Sequence, residues 1–210
     1  MKNDTGITCL FLDIGGVLLT DGWSHQSRKL ASKVFGLDHK EMENRHAQVF
    51  DTYELGKLTI NDYLKHVVFF EKRSFTPAKF QKFMFDRSKP LPRMIEAVTR
   101  LKAQYRIKIV AVSNEARELN EYRIQEYKLG AFIDFFISSC YVHLRKPDED
   151  IFRLALDVAH VPLRQIVYIE NTAMFVSIAE SLGIRSILHR DSISTLASLA
   201  SLGLNRDKAF

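Results

Sequence analysis

Apolar residues follow two rhythms along this chain. Short continuous apolar runs read as strands buried on both faces, whereas residues spaced three and four apart read as helices with one apolar side. The first run lies in Cys9–Leu18, CLFLDIGGVL; it stops at Asp13 and then at two glycines, which let the backbone turn without a side-chain clash. Further strands are predicted at Ile107–Val112, Phe135–Ser138, Gln165–Ile169 and Ile184–Leu188. Helical spacing predicts helices over Ser27–Phe35, Lys40–Tyr53, Ile60–Glu71, Met94–Ala103, Ala116–Lys128 and Asp148–Ala159, and one ending at Leu182. Gly36, Gly56 and Pro77 punctuate the early helices, Thr59 is a candidate N-cap, and Gly130 stops the helix before it.

Strands alternating with helices imply right-handed crossovers and a parallel sheet covered on both faces, so the expected class is a doubly wound α/β fold. No strand signal occurs between Asp21 and Pro90. That block is expected to be an all-helical cap, residues 21–88, inserted into a core made of 1–20 and 89–210. Its Phe-rich stretch from Val67 to Phe85 is expected to form the cap's own core, or to support a dimer contact. A parallel sheet points every strand's carboxyl end the same way. Asp13, Ser113, Lys146 and Glu170 then become neighbours at the edge where open α/β sheets bind ligands. A lone acid there, Asp13, suits a nucleophile, a metal ligand or both.

Composition narrows the class. At 210 residues, 46% hydrophobic and 26% charged, the chain can bury one core domain plus an insertion. Lys and Arg outnumber Asp and Glu by 30 to 25, but they are scattered among acids, which argues against a nucleic-acid stripe. Cys9 and Cys140 lie in apolar stretches without metal-site or redox-pair spacing. The polar start MKNDTG and the lack of a stretch long enough to span a bilayer lead to the expectation of a cytoplasmic protein without a membrane partner.

Four ordered segments carry a family resemblance: Asp13-Ile14-Gly15-Gly16-Val17-Leu18; Ser113-Asn114; Lys146-Pro147-Asp148 with Ile151-Phe152; and Tyr168-Ile169-Glu170-Asn171 with Ala179 and Gly183-Ile184. Together they resemble the motifs of the haloacid dehalogenase-like (HAD) hydrolase superfamily, over about Thr8 to Leu188. Glu54-Leu55-Gly56-Lys57-Leu58-Thr59 is similar to the turn in that family's small helical caps. The resemblance implies a Rossmann-like core with Asp13 as nucleophile, Ser113 and the Asn114 N–H holding phosphoryl oxygens, and Lys146 neutralising charge. It implies Mg²⁺ held by Asp13, the Gly15 carbonyl and Glu170.

Three positions depart from the family pattern. Glu170 stands where Asp is usual, Asn171 where a second Asp is frequent, and Gly15 where phosphatases of the family carry their general acid. Candidates to replace that acid or to contact substrate lie in the following turn: Asp21, Trp23 and His25. His39, His46, His66, His143, His160 and His189 are read as surface or satisfied residues. The expectation is a Mg²⁺-dependent phosphatase of a small phosphorylated metabolite, monomeric or homodimeric. Its rivals are a 2-haloacid dehalogenase and a catalytically weakened HAD-like binding or regulatory protein.

Overall fold

The computed structural model describes residues 6–205. The chain forms β1 (Cys9–Leu12) and then four helices, α1 (His25–Phe35), α2 (His39–Glu54), α3 (Ile60–Val67) and α4 (Pro77–Phe85). It continues as α5 (Pro92–Tyr105), β2 (Lys108–Ser113), α6 (Arg117–Glu126), β3 (Phe135–Ser138), α7 (Ser139–Val142), α8 (Asp150–Ala159), β4 (Ile166–Glu170), α9 (Ala173–Ser181), β5 (Arg185–Leu188) and α10 (Ser192–Ser201).

The strands form one parallel sheet in the order β3-β2-β1-β4-β5. Its two faces are packed by alternate residues of each strand, as the period of two requires. Leu10 and Leu12 of β1 join Met94, Val98, Leu101 and Leu199 on one face. Cys9 and Phe11 join Ile151, Phe152, Ala155 and Ala179 on the other. This is the doubly wound Rossmann-like α/β class. Because β2 and β4 flank β1 on opposite sides, chain direction across the sheet switches beside β1 and opens a crevice at its carboxyl end.

The helical insertion leaves and re-enters through two paired segments: the Thr20 N–H donates to Lys89 O at 2.8 Å, and the Leu91 N–H to Leu18 O at 2.8 Å. Its core is aromatic, with Trp23, Tyr53, Tyr63 and Phe80 buried together with Ala116 and Leu119 from the sheet domain. It rests on that domain through Gly56, which takes φ +68°; a Cβ there would lie 2.2 Å from the Cys140 carbonyl oxygen.

Four elements differ from expectation, the short helix α7 among them having no signal in the sequence. Pro77, read as a break, is instead the first residue of α4, where its missing N–H costs nothing and the Thr76 side chain caps Lys79 N. Helix α3 stops at Val67, short of Glu71, because the Val68 and Phe69 N–H groups both bond Leu64 O. Helix α10, unforeseen, starts where Asp191 accepts from Ile193 and Ser194 N–H. Among the described residues no helix is long and apolar enough to cross a membrane.

Candidate active site

Asp13 follows β1 directly, and its N–H donates to Ile169 O at 3.0 Å, so the β1–β4 ladder carries it to the crevice. The chain then turns on Gly16 at φ +73°, where a Cβ would meet Asn171 Nδ2 at 2.0 Å. That contact lets the β1 turn lie against the turn after β4. Ser113 ends β2 with Asn114 just beyond it, and Glu170 ends β4.

Lys146 reaches this edge from the loop after α7. The Asn114 side chain grips its backbone twice: Nδ2 donates to Lys146 O at 2.8 Å, and Oδ1 accepts the Lys146 N–H at 2.8 Å. The ammonium, 1% exposed, donates to Asp13 Oδ1 at 3.0 Å, Glu170 Oε2 at 2.6 Å and Tyr168 Oη at 3.2 Å. All three of its protons are committed. Burial opposes the Lys146 charge, but Asp13 and Glu170 together hold its pKa above the usual lysine range. For Asp13, burial and the Glu170 charge raise the carboxyl against the pull of Lys146 and Ser113. Glu170 is fully buried, with Oε2 also accepting the Tyr168 hydroxyl and Oε1 accepting the Thr172 N–H at 2.9 Å.

The donor set fits a hard cation. The Asn171 amide, oriented to satisfy its neighbours, donates to Glu170 Oε1 at 2.8 Å and to the Gly15 carbonyl oxygen at 3.2 Å. The Asp13 and Glu170 carboxylates and the Gly15 carbonyl are oxygen donors of the kind Mg²⁺ takes, and they are the groups that would hold it.

A cavity of about 300 Å³ opens over Asp13, lined by Ser113, Asn114, Lys146, Asp21 and Trp23 among others. Asp21 Oδ1 lies 3.6 Å from where a Cβ on Gly15 would stand, so this carboxylate borders the space a side chain at position 15 would enter. Loss of water around Asp21 and the nearby Asp13 charge raise its carboxyl, against Arg123. Trp23 is packed edge-on to Phe80, and its Nε1 donates to Tyr63 Oη at 2.7 Å. It forms a wall of the cavity and is held in place by the cap core.

His25 is a correction to the expected substrate contacts. It is exposed, lies off the cavity, and its Nδ1 sits 3.0 Å from Glu43 Oε2. As the first residue of α1 its side chain packs on His39 at the start of α2, not over Asp13.

Several cavity residues were not among the predicted site residues, although Glu54 opens the cap turn that resembles the family's. Arg123 and Glu115 form a buried ion pair, 2% and 3% exposed. Arg123 also donates to Ser88 Oγ at 2.9 Å and Thr20 O at 3.2 Å, tying both cap linkers to α6. Tyr53 and Glu54, at the end of α2, line the cavity from the cap.

A family model described as haloacid dehalogenase-like hydrolase matches residues 7–183. Among curated proteins, bifunctional epoxide hydrolase 2 of Sus scrofa is 32% identical over 72 residues, 34% of this chain and 13% of that protein. Drimenol cyclase drtB of Aspergillus calidoustus is 24% identical over 189 residues, 87% of this chain and 34% of that protein. The chain thus spans about a third or less of the length of these relatives. Among solved structures, a HAD family enzyme of Bacteroides thetaiotaomicron in magnesium complex has a TM-score of 0.75 at 16% identity, covering 88% of this chain and 93% of its own. The L-2-haloacid dehalogenase of Xanthobacter autotrophicus has a TM-score of 0.62 at 15% identity, covering 93% and 84%.

Proposed function

The chain belongs to the haloacid dehalogenase-like hydrolases, and from that membership we propose that it is a Mg²⁺-dependent phosphatase of a small phosphorylated metabolite. The observation that carries this reading is the pair of buried carboxylates, Asp13 and Glu170, that share the single ammonium of Lys146 beside the Gly15 turn. Displacing halide from carbon needs no cation at that place, whereas a phosphoryl dianion beside two buried carboxylates does. Bound there, Mg²⁺ would supply positive charge to offset that crowding. The magnesium complex of the Bacteroides structure agrees with this choice.

In the proposed reaction an Asp13 carboxylate oxygen forms a bond to phosphorus as the ester P–O bond breaks, and the alcohol leaves with a proton. Lys146 holds the Asp13 carboxylate in place and balances its charge. Ser113 and the Asn114 N–H bind phosphoryl oxygens. Asp21, bordering the space beside Gly15, gives the proton to the leaving oxygen and later takes one from the water that cleaves the acyl phosphate. Trp23, Tyr53 and Met84 of the cap wall the cavity on the side away from the sheet.

The test is phosphate release from p-nitrophenyl phosphate and a metabolite panel, with and without Mg²⁺. Turnover should require the cation, vanish in Asp13→Asn, and fall roughly 10²- to 10⁴-fold in Asp21→Asn on esters with poor leaving groups. Chloride release from 2-chloropropionate without metal would establish the dehalogenase instead. Neither activity, with no heat of Mg²⁺ binding, would leave a binding protein.

A further inference from the structure

The cavity has a second wall, on the cap, that the chemistry above does not use. There Tyr53 and Glu54 line it from the cap. Tyr53 is 1% exposed, its ring stacked on Tyr63 at 4.4 Å between centroids. Its hydroxyl, buried, has no hydrogen-bond partner among the described residues. Such a group loses its water without compensation, at a cost a ligand can relieve. Beside it, Glu54 Oε2 accepts two N–H groups of Arg145, at 2.6 and 3.1 Å, while Oε1 has no bond to a described residue. Burial pushes this carboxyl up to about 7, so near neutrality it can donate as well as accept.

The cations around the cavity are already engaged. Lys146 spends three protons on Asp13, Glu170 and Tyr168. Arg123 is taken by Glu115, Ser88 and Thr20 O. Arg28 donates to Glu43 at 2.5 and 3.0 Å and to Trp23 O at 2.7 Å. A second anion on a substrate would meet Glu54, Glu115 and Asp21, while each cation lining the cavity, Lys146, Arg123 and Arg28, is already paired to a carboxylate of the protein. The volume, about 300 Å³, equals roughly ten waters at ~30 Å³ each, leaving room for a few carbons beyond a phosphoryl group.

We propose that Tyr53 and Glu54 form a leaving-group subsite that selects phosphomonoesters of small hydroxyl-bearing alcohols and rejects those carrying a second anion. The proposal rests on the phosphatase reading above. The Tyr53 hydroxyl and Glu54 Oε1 would bond a substrate hydroxyl in either ionisation state of Glu54, whereas a substrate carboxylate is repelled whenever Glu54 is ionised.

Three esters of one chain length test it with the full chain and Mg²⁺: glycerol 3-phosphate, 3-phosphoglycerate and n-propyl phosphate. p-Nitrophenyl phosphate, which needs no such recognition, reports the chemistry alone. We expect kcat/KM for glycerol 3-phosphate to exceed that of each of the other two by at least about tenfold. Tyr53→Phe keeps the stacked ring and should cut the glycerol-to-propyl ratio about tenfold; Glu54→Gln should narrow the glycerol-to-phosphoglycerate ratio. Equal kcat/KM across the three esters, or an unchanged ratio in Tyr53→Phe, overturns the subsite while p-nitrophenyl phosphate turnover leaves the phosphatase reading standing. No release from any ester, p-nitrophenyl phosphate included, refutes the phosphatase reading and the subsite together.

Discussion

Arg123→Met is the substitution whose effect the structure fixes most closely. Arg123 is 2% exposed and forms an ion pair with Glu115, itself 3% exposed, while its charge also favours ionised Asp21. Removing the guanidinium leaves that carboxylate buried without a counter-ion and strips partners from Ser88 Oγ and Thr20 O. Breaking a buried pair from one side costs about 3–5 kcal/mol, more than half the stability of an ordinary domain at the lower end. The loss should depend on pH. Burial already raises the Glu115 carboxyl, and without Arg123 it rises further. A carboxyl whose folded pKa lies above its unfolded value near ~4.3 destabilises increasingly as pH climbs, and the deficit shrinks on acidification. Urea unfolding at pH 5 and pH 8 should therefore show the larger deficit at pH 8. Adding Glu115→Leu to Arg123→Met should recover most of it, because an apolar pair needs no counter-charge. A deficit under about 1 kcal/mol at pH 8, or no rescue by the double variant, would refute the reasoning.

Asn114→Ala removes both bonds that hold the Lys146 backbone. It should lower kcat on p-nitrophenyl phosphate about 10²-fold through misplacement of the ammonium, with a stability loss of about 1–3 kcal/mol by chemical unfolding. Burial lowers His46 to about 4, so the unfolded chain binds a proton first as pH falls. Stability should hold above pH ~6.5 and decline between there and pH ~4, by up to about 3 kcal/mol. In His46→Gln that slope should flatten in a pH series of thermal unfolding. Gly56→Ala meets the Cys140 carbonyl at 2.2 Å, whereas Gly36→Ala, at a similar φ of +64°, meets nothing within 4 Å. Both should cost about 1–2 kcal/mol in backbone strain, but only Gly56→Ala should also lower activity, by lifting the cap; equal activity in the two would show that this contact does not seat it.

The sheet was legible because each of its strands is a short apolar run bounded by turn residues. β1 breaks at Asp13 where the buried ladder ends, and the ladder itself then sets Asp13 beside Glu170. What periodicity could not reveal were contacts made across elements. Pro77 is a stop signal in sequence and a helix start in structure, a difference decided by Thr76 capping Lys79. His25 precedes an amphipathic helix, and nothing in its neighbours tells that the helix turns it toward Glu43. Asn114 was read for its backbone N–H, while its side chain holds Lys146, 32 residues away. Tyr53 ends a predicted helix and Glu54 opens the cap turn after it, and neither signal says what they face. Their place over Asp13 comes from how the cap docks, through Gly56 on Cys140 and Arg145 on Glu54.

The central claim is that the Asp13 carboxylate takes the phosphoryl group. Acid-quenched enzyme, sampled during turnover with Mg²⁺ and digested for mass analysis, should carry phosphate on the peptide containing Asp13 and none in Asp13→Asn. Phosphate release without any adduct on that peptide, or an adduct on another residue, would contradict it.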